Sequence, residues 1–455
     1  MKIYKVGGLL LSQVLSLLFN FFVQILLAKF YGIEETGTYF SIISLMNIMS
    51  VIGLFGINKY YIYIKSARVN FDNDLLKSLI IIYINLNIFC AVILFTIAYF
   101  RFPEYILFII SCMFLMVLTN SIAIISSLIQ INDKIIEISL LHLIVPFLKV
   151  SGLVLGIIIL GEHLIGYALY VLIITIIVLL IFAKKYTRKI SKIFSEPKSE
   201  IRKTVKILLP YALLNIFFMF YTQGNILYLG ILSSAQQAAY FGISYLFLNT
   251  IFIFPTAIYQ KVLAHKMMYF LFNNVELFKL YYKTMQELLI IISGLAMLVI
   301  YYIADWLIVL FFGANYEESI RILQLLAIII PFRLITISIG TILSNDKYIK
   351  NRLKIEILVT ILNIIINFTL IPILGVNGAI ISVIITEIII AILFERTVNK
   401  DFDIKINKLL YFLMIPSLLI MYIDINLVVE LIGIVIIFLL ASKMISDRVR
   451  ILWKR

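Results

Sequence analysis

The sequence predicts an all-α integral membrane protein: about fourteen transmembrane helices arranged as two six-helix lobes in a pseudo-two-fold parallel repeat, plus two extra C-terminal helices. Three observations carry that prediction. Of 455 residues, 63% are hydrophobic and only 14% charged, with a mean hydropathy of +1.11. Apolar runs of about twenty residues, the length that crosses a hydrocarbon core of about 30 Å, follow one another through nearly the whole chain. Lys and Arg gather in alternate connections between those runs.

The first run, 7–30, begins like a secretion signal in "MKIYKVGGLLLSQVLSLLF", with Lys2 and Lys5 ahead of an apolar stretch. It continues to Phe30, carries Gln13, Asn20 and Gln24, and shows no small-residue cleavage pattern, so it is read as a retained spanning helix. Runs at 37–58, 78–99, 104–128, 138–160 and 163–183 complete a first lobe, 1–183. The basic stretch "KKYTRKISKIFSEPKSEIRKTVK", 184–206, is read as a cytoplasmic linker. The second lobe, 207–395, holds runs at 207–230, 239–260, 285–304, 319–343, 356–373 and 377–395. Two further runs, 407–423 and 426–443, with a basic tail, make up 396–455. Each lobe opens on a helix with a polar stripe. Gln13, Ser16, Asn20 and Gln24 mark the first, and Asn215, Thr222 and Asn225 the seventh, at steps that share one helical face.

With the N-terminus inside, 33 of the 38 Lys and Arg fall in inner segments, which places both termini in the cytoplasm. The net charge of +14 is then accounted for by an inner surface facing anionic lipid headgroups, and no nucleic acid is implied. Cys90 and Cys112 lie within helices without metal-ligand spacing. No HExxH, Walker or GxGxxG pattern occurs, so no metal and no cofactor are predicted.

The residues that cost energy to keep are the candidates for function. An Arg near the bilayer centre costs roughly 2.5–3.5 kcal/mol on insertion scales, which the apolar residues of the tenth helix offset. Arg333 lies about 18 Å beyond Arg321 at 1.5 Å per residue, near mid-membrane and beside Pro331. Two readings are open: pairing with carbonyls or a carboxylate for packing, or lining an aqueous cavity for an anionic ligand. Lys149 in the fifth helix is a second deep cation, with His142 seven residues before it on the same face. Glu387 in the twelfth helix either pairs with Lys149 or Arg333 or takes up a proton during a transport cycle. Lys29 and Arg321 stand at helix ends, where snorkelling accounts for them equally well. Buried cations and polar stripes together suit an anionic cargo, and phosphate matches Arg's fork of donors and Lys's point charge.

Four segments resemble the polysaccharide-biosynthesis branch of the multidrug/oligosaccharidyl-lipid/polysaccharide exporter superfamily, the O-antigen flippases. They are "FVQILLAKFYGIEETGTYFSIISLMNIMSVIGLFGINKYYIYIKSA" (22–67), "LPYALLNIFFMFYTQGNILYLGILSSAQQAAYFGISYLF" (209–247), "LFFGANYEESIRILQLLA" (310–327) and "NIIINFTLIPILGVNGAIISVIITE" (363–387). The resemblance implies a flippase of the bacterial cytoplasmic (inner) membrane. Such a protein moves undecaprenyl-diphosphate-linked oligosaccharide repeat units from the inner to the outer leaflet by alternating access, for O-antigen, lipopolysaccharide or capsule. A polysaccharide polymerase is an implied partner. Lys29 stands where the family usually has Arg, which argues against a bidentate phosphate grip there. Asn225 stands where many members carry Asp, which argues against titration there.

The expected substrate-binding set is therefore Arg333, Lys149, Lys29, Arg321, Gln24, Asn20, Asn215 and Asn225. Glu387 and His142 are the candidates for coupling to a proton or sodium gradient. The diphosphate head would be held by Lys149 and Arg333, with the polyprenyl chain left in lipid. Rival readings are a cation-coupled multidrug exporter of the same fold, which should favour cavity carboxylates over cations, and a membrane glycosyltransferase or polymerase, which needs a catalytic surface loop.

Overall fold

The computed structural model describes residues 3–66, 73–130, 135–160, 164–194, 201–257, 259, 263–345 and 347–404. Inside lipid the backbone has no water to bond, so each apolar run satisfies its own N–H and C=O groups as a helix. Among the described residues there are fifteen α-helices and no strand. They are α1 (Ile3–Phe30), α2 (Ile33–Leu54), α3 (Ile57–Ser66), α4 (Asn73–Arg101), α5 (Ile106–Gln130), α6 (Ile135–Leu160), α7 (Leu164–Phe194) and α8 (Ile201–Leu232). The chain continues with α9 (Ala235–Ala257), α10 (Ala264–Asn273), α11 (Val275–Phe312), α12 (Glu318–Leu326), α13 (Ile330–Ile342), α14 (Ile349–Leu374) and α15 (Val376–Phe402). Ten spans among the described residues are long and apolar enough to cross a membrane, and the chain is a multi-pass membrane protein.

Each of the first twelve expected runs coincides with one of these helices or with a broken pair, while 407–423 and 426–443 lie outside the described residues. The basic stretch 184–206 carries α7 on to Phe194 and holds the start of α8 at Ile201.

The chain divides into two compact units, Met1–Ala239 and Tyr240–Arg455. In the first, α2 is buried along most of its length and packs against α4, α5 and α8. The small residues Thr36, Gly37, Thr38, Ser41 and Ser44 make that possible, because lipid tails drive no hydrophobic collapse and spans associate by close backbone approach. The fit to α8 is tight: a Cβ on Gly230 would collide with Ser41 Oγ. Tyr39 on α2 stacks on Phe108 of α5 at 5.5 Å and meets Tyr167 of α7 edge-on at 5.7 Å. Arg101, at the end of α4, donates to the carbonyls of Gly230 (2.9 Å) and Ser233 (2.8 Å), groups that the end of α8 leaves without helical partners.

In the second unit, α13 packs against α11 and α15, and α14 and α15 form an antiparallel hairpin through Gly375 at φ 56°. Both units contain a broken span. After α2, Phe55 (φ 45°) and Gly56 (φ 72°) take left-handed conformations before α3 begins. Between α12 and α13 the chain makes a 3-10 turn at Ala327–Ile329.

Candidate functional site

The second unit builds its polar interior around the break before α13. Pro331 sits in the first turn of α13, where its missing N–H leaves no helical bond unmade. Arg333 follows two residues later, 8% exposed, and its Nη1 donates to Glu387 Oε1 of α15 at 3.0 Å. Glu387 is 1% exposed. Of the two partners the sequence left open for this carboxylate, Lys149 and Arg333, the structure brings Arg333. Desolvating both charges roughly offsets their attraction, whereas removing one strands the other at a cost of about 3–5 kcal/mol. Tyr245 of α9 is buried within electrostatic reach of both.

Below the pair runs a neutral ladder between α14 and α15. Asn363 Nδ2 donates to Ser382 Oγ (3.1 Å), Asn367 Nδ2 donates to the same hydroxyl (2.9 Å), and Thr386 Oγ1 donates to the Ser382 carbonyl (2.7 Å). The "LIPILGVNGAI" turn, 370–380, positions this ladder, since a Cβ on Gly378 would meet the Leu370 backbone at 2.6 Å.

Two further buried carboxylates escaped sequence reasoning. Glu356 accepts from Arg352 Nε at 2.7 Å, and Arg352 also donates to the Gly340 carbonyl at the end of α13 and to Ser344 Oγ. Glu287 of α11 is 1% exposed, beside Gln286, whose Nε2 donates to Ser338 Oγ at 2.8 Å. Gln286 Oε1 has no hydrogen-bond partner among the described residues, and it borders a crevice of about 10 Å³, room for about one water, lined also by Tyr259, Met285 and Thr341. Arg321 is exposed.

In the first unit the cations are arranged differently. Lys149 of α6 is partly buried, lies close enough to the buried Cys112 thiol to interact with it, and has no ion-pair or hydrogen-bond partner among the described residues. Two residues before it, Phe147 packs edge-on against Phe19 of α1 at 6.3 Å. On α1, Asn20 Nδ2 donates to the Ser16 carbonyl at 2.8 Å, Gln24 is partly buried and Lys29 is exposed. His142 is exposed as well. Asn215 accepts from Lys59 Nζ at 2.6 Å, and Asn225, 2% exposed, donates to the Tyr221 carbonyl at 3.3 Å.

Sequence reasoning also missed a buried amide chain in this unit. Ser50 Oγ donates to Asn120 Oδ1 (2.5 Å), Asn120 Nδ2 to Asn87 Oδ1 (2.7 Å), and Asn87 Nδ2 to the carbonyl of Gly53 (3.1 Å). Gly53 lies in the last turn of α2, so Asn87 satisfies an acceptor that the break leaves without a helical donor. The residues are isolated Asn on separate helices, with no motif to mark them. Among the described residues, no three His, Cys, Asp or Glu side chains gather so as to hold a metal ion.

Compared by sequence alone, the chain matches no family model and no curated protein. Compared by structure, it superimposes on the lipid II flippase MurJ in an inward closed conformation, with a TM-score of 0.67 at 15% identity over 97% of this chain and 99% of that one. It also superimposes on a MATE-family multidrug resistance transporter of the MOP superfamily in an inward-facing conformation, with a TM-score of 0.58 at 16% identity over 85% of this chain and 94% of that one. The all-α fold is shared with these transporters. A third MOP structure, from Pyrococcus furiosus and described by the reverse polarity of its binding pocket, matches with a TM-score of 0.52 at 15% identity over 87% of this chain and 94% of that one. At these identities the MOP likeness establishes the all-α architecture, and the cargo has to be argued from the side chains.

Proposed function

We propose that this protein is a flippase that moves an undecaprenyl-diphosphate-linked oligosaccharide across the bacterial cytoplasmic membrane by alternating access, for surface polysaccharide synthesis. The observation that carries the proposal is Lys149, a cation midway along a membrane-spanning helix with no counter-ion among the described residues. Keeping such a charge uncompensated is unfavourable unless it meets water or an anionic ligand, and a diphosphate supplies the missing negative charge. Arg333 of the second unit is by itself suited to a phosphate oxygen, and Asn20, Gln24 and Asn215 offer uncharged donors and acceptors suited to sugar hydroxyls. Lys29 and Arg321, exposed at helix ends, steer the anionic head toward entry or exit. A polymerase that extends the delivered repeat units is the natural partner.

The test is transfer between leaflets. Purified protein in liposomes carrying a short oligosaccharide on undecaprenyl diphosphate should move it, and Lys149→Ala and Arg333→Ala should each slow transfer at least about tenfold, the loss of one good charge-assisted contact. Undiminished transfer by both variants would remove the phosphate-holding role.

The second reading, a cation-coupled multidrug exporter, is favoured by the three buried carboxylates of the second unit, Glu287, Glu356 and Glu387. Export of a lipophilic cation by the same liposomes, with no movement of the diphosphate lipid, would select it.

A further inference from the structure

Arg333 already holds an anion in this conformation. Glu387 Oε1 sits 3.0 Å from its Nη1, both side chains are buried, and the geometry is that of one carboxylate oxygen occupying one arm of the guanidinium fork. A phosphate oxygen asks for the same arm. Arg333 is also placed to change partners. It lies within the first turn of α13, directly after the 3-10 turn at Ala327–Ile329 and beside Pro331, so that α13 can pivot relative to α12 with few helical hydrogen bonds to break.

We infer that Glu387 is an internal stand-in for the cargo's phosphate: Arg333 exchanges Glu387 for the diphosphate on loading, and Glu387 takes up one proton in exchange. This rests on the flippase reading above and adds to it a coupling ion and a site for that ion. The balance is simple. One negative phosphate oxygen replaces one carboxylate on the guanidinium, and one proton taken from the buffered solution neutralises the carboxylate that is left, because a buried carboxylate that loses a charge partner at 3.0 Å is costly to keep ionised. On unloading, the proton leaves and the pair re-forms.

Tyr245 on α9 is within electrostatic reach of the pair, and the other buried carboxylates of this unit are Glu287 on α11 and, on α14, Glu356, which Arg352 already holds. On α12 the charged side chains are Glu318 and Arg321, both exposed. Proton uptake on loading means that cargo binds more tightly as pH falls, by up to about tenfold per pH unit for one linked proton.

The experiment is titration calorimetry on the full-length protein with farnesyl-diphospho-N-acetylglucosamine. This water-dispersible diphosphate diester has phosphates that do not titrate near neutrality. Binding is measured in buffers of different ionisation enthalpy, for wild type and for Glu387→Gln, with Glu287→Gln and Glu356→Gln as controls. The expected result is uptake of one proton per diester bound by wild type and both controls. Glu387→Gln should bind with no uptake and lose the pH dependence. Wild-type binding without proton uptake, or uptake that persists in Glu387→Gln, overturns the exchange and leaves the flippase reading standing. Absence of any saturable binding by wild type overturns that reading and the exchange with it. The wild-type arm decides alone if Glu387→Gln does not fold.

Discussion

The first unit buries its polarity as neutral amides and hydroxyls, whereas the second buries charge. Among the described residues, every charged side chain that is fully buried, Glu287, Arg333, Glu356 and Glu387, belongs to the second unit. In the first, the buried polar groups are Ser, Thr and Asn, and the deep cation Lys149 is only partly buried and has no partner among the described residues. Each arrangement sits at an interruption of a spanning helix, Asn87 against the end of α2 and Arg333 just beyond the 3-10 turn before α13. An amide cluster repairs a break and holds one geometry. A charge pair can be taken apart by a competing ion, so it suits a unit that must rearrange when cargo arrives.

The largest way to break this contrast is Glu387→Ala, which takes the buried carboxylate away from Arg333 and should destabilise the protein by about 3–5 kcal/mol. Thermal unfolding in detergent measures it, and the Arg333→Met, Glu387→Met double variant should recover most of the loss while failing to move cargo. Recovery of both stability and transfer would reduce the pair to packing. Next comes Asn87→Ala, which leaves the Gly53 carbonyl and the Asn120 amide short of a partner. The expected cost is about 1–3 kcal/mol, visible as a lower melting temperature, with the loss shared rather than doubled in an Asn87→Ala, Asn120→Ala variant. A smaller effect belongs to Asn215→Ala, since its partner Lys59 is exposed, and a loss of about 0.5–1.5 kcal/mol is the upper range for one such hydrogen bond. Smallest of all is Lys149→Met, which keeps the apolar stem and removes a charge with no ion-pair or hydrogen-bond partner among the described residues. Its melting curve should match wild type to within about 0.5 kcal/mol, even as transfer falls. A large loss of stability there would show that Lys149 is paired and erase the difference between the units.

The spans were legible because uninterrupted Ile, Leu and Phe of spanning length have one solution in lipid. The breaks were less so. Pro331 announced a discontinuity before Arg333, but nothing in "VIGLFGINKYY", 51–61, distinguishes Gly56 from a glycine that merely packs. Glu387 stood out because no other charge lies near it in sequence. Glu356 and Glu287 did not, since "RLKIE" and "TMQE" read as charged helix ends at the water boundary, and only packing shows that their carboxylates turn inward. His142 and Lys149 share a helical face by spacing, yet one is exposed and the other partly buried. Spacing tells which residues point the same way and not how deep a neighbouring helix covers them. Asn87 and Asn120 meet across 33 residues of chain, a distance at which a single sequence carries no pairing signal.

The separation of Arg333 from Glu387 has a consequence for how the protein is made. The two lie 54 residues apart, and a ribosome adding about 5–20 residues per second needs about 3–10 s to cover that distance. Throughout that interval the α13 segment is delivered toward the bilayer with its guanidinium already synthesised and its carboxylate still unmade. The nascent segment must therefore wait in the insertion machinery, at the headgroup level, or against helices already in place, and a chain truncated before α15 carries this guanidinium without the Glu387 carboxylate.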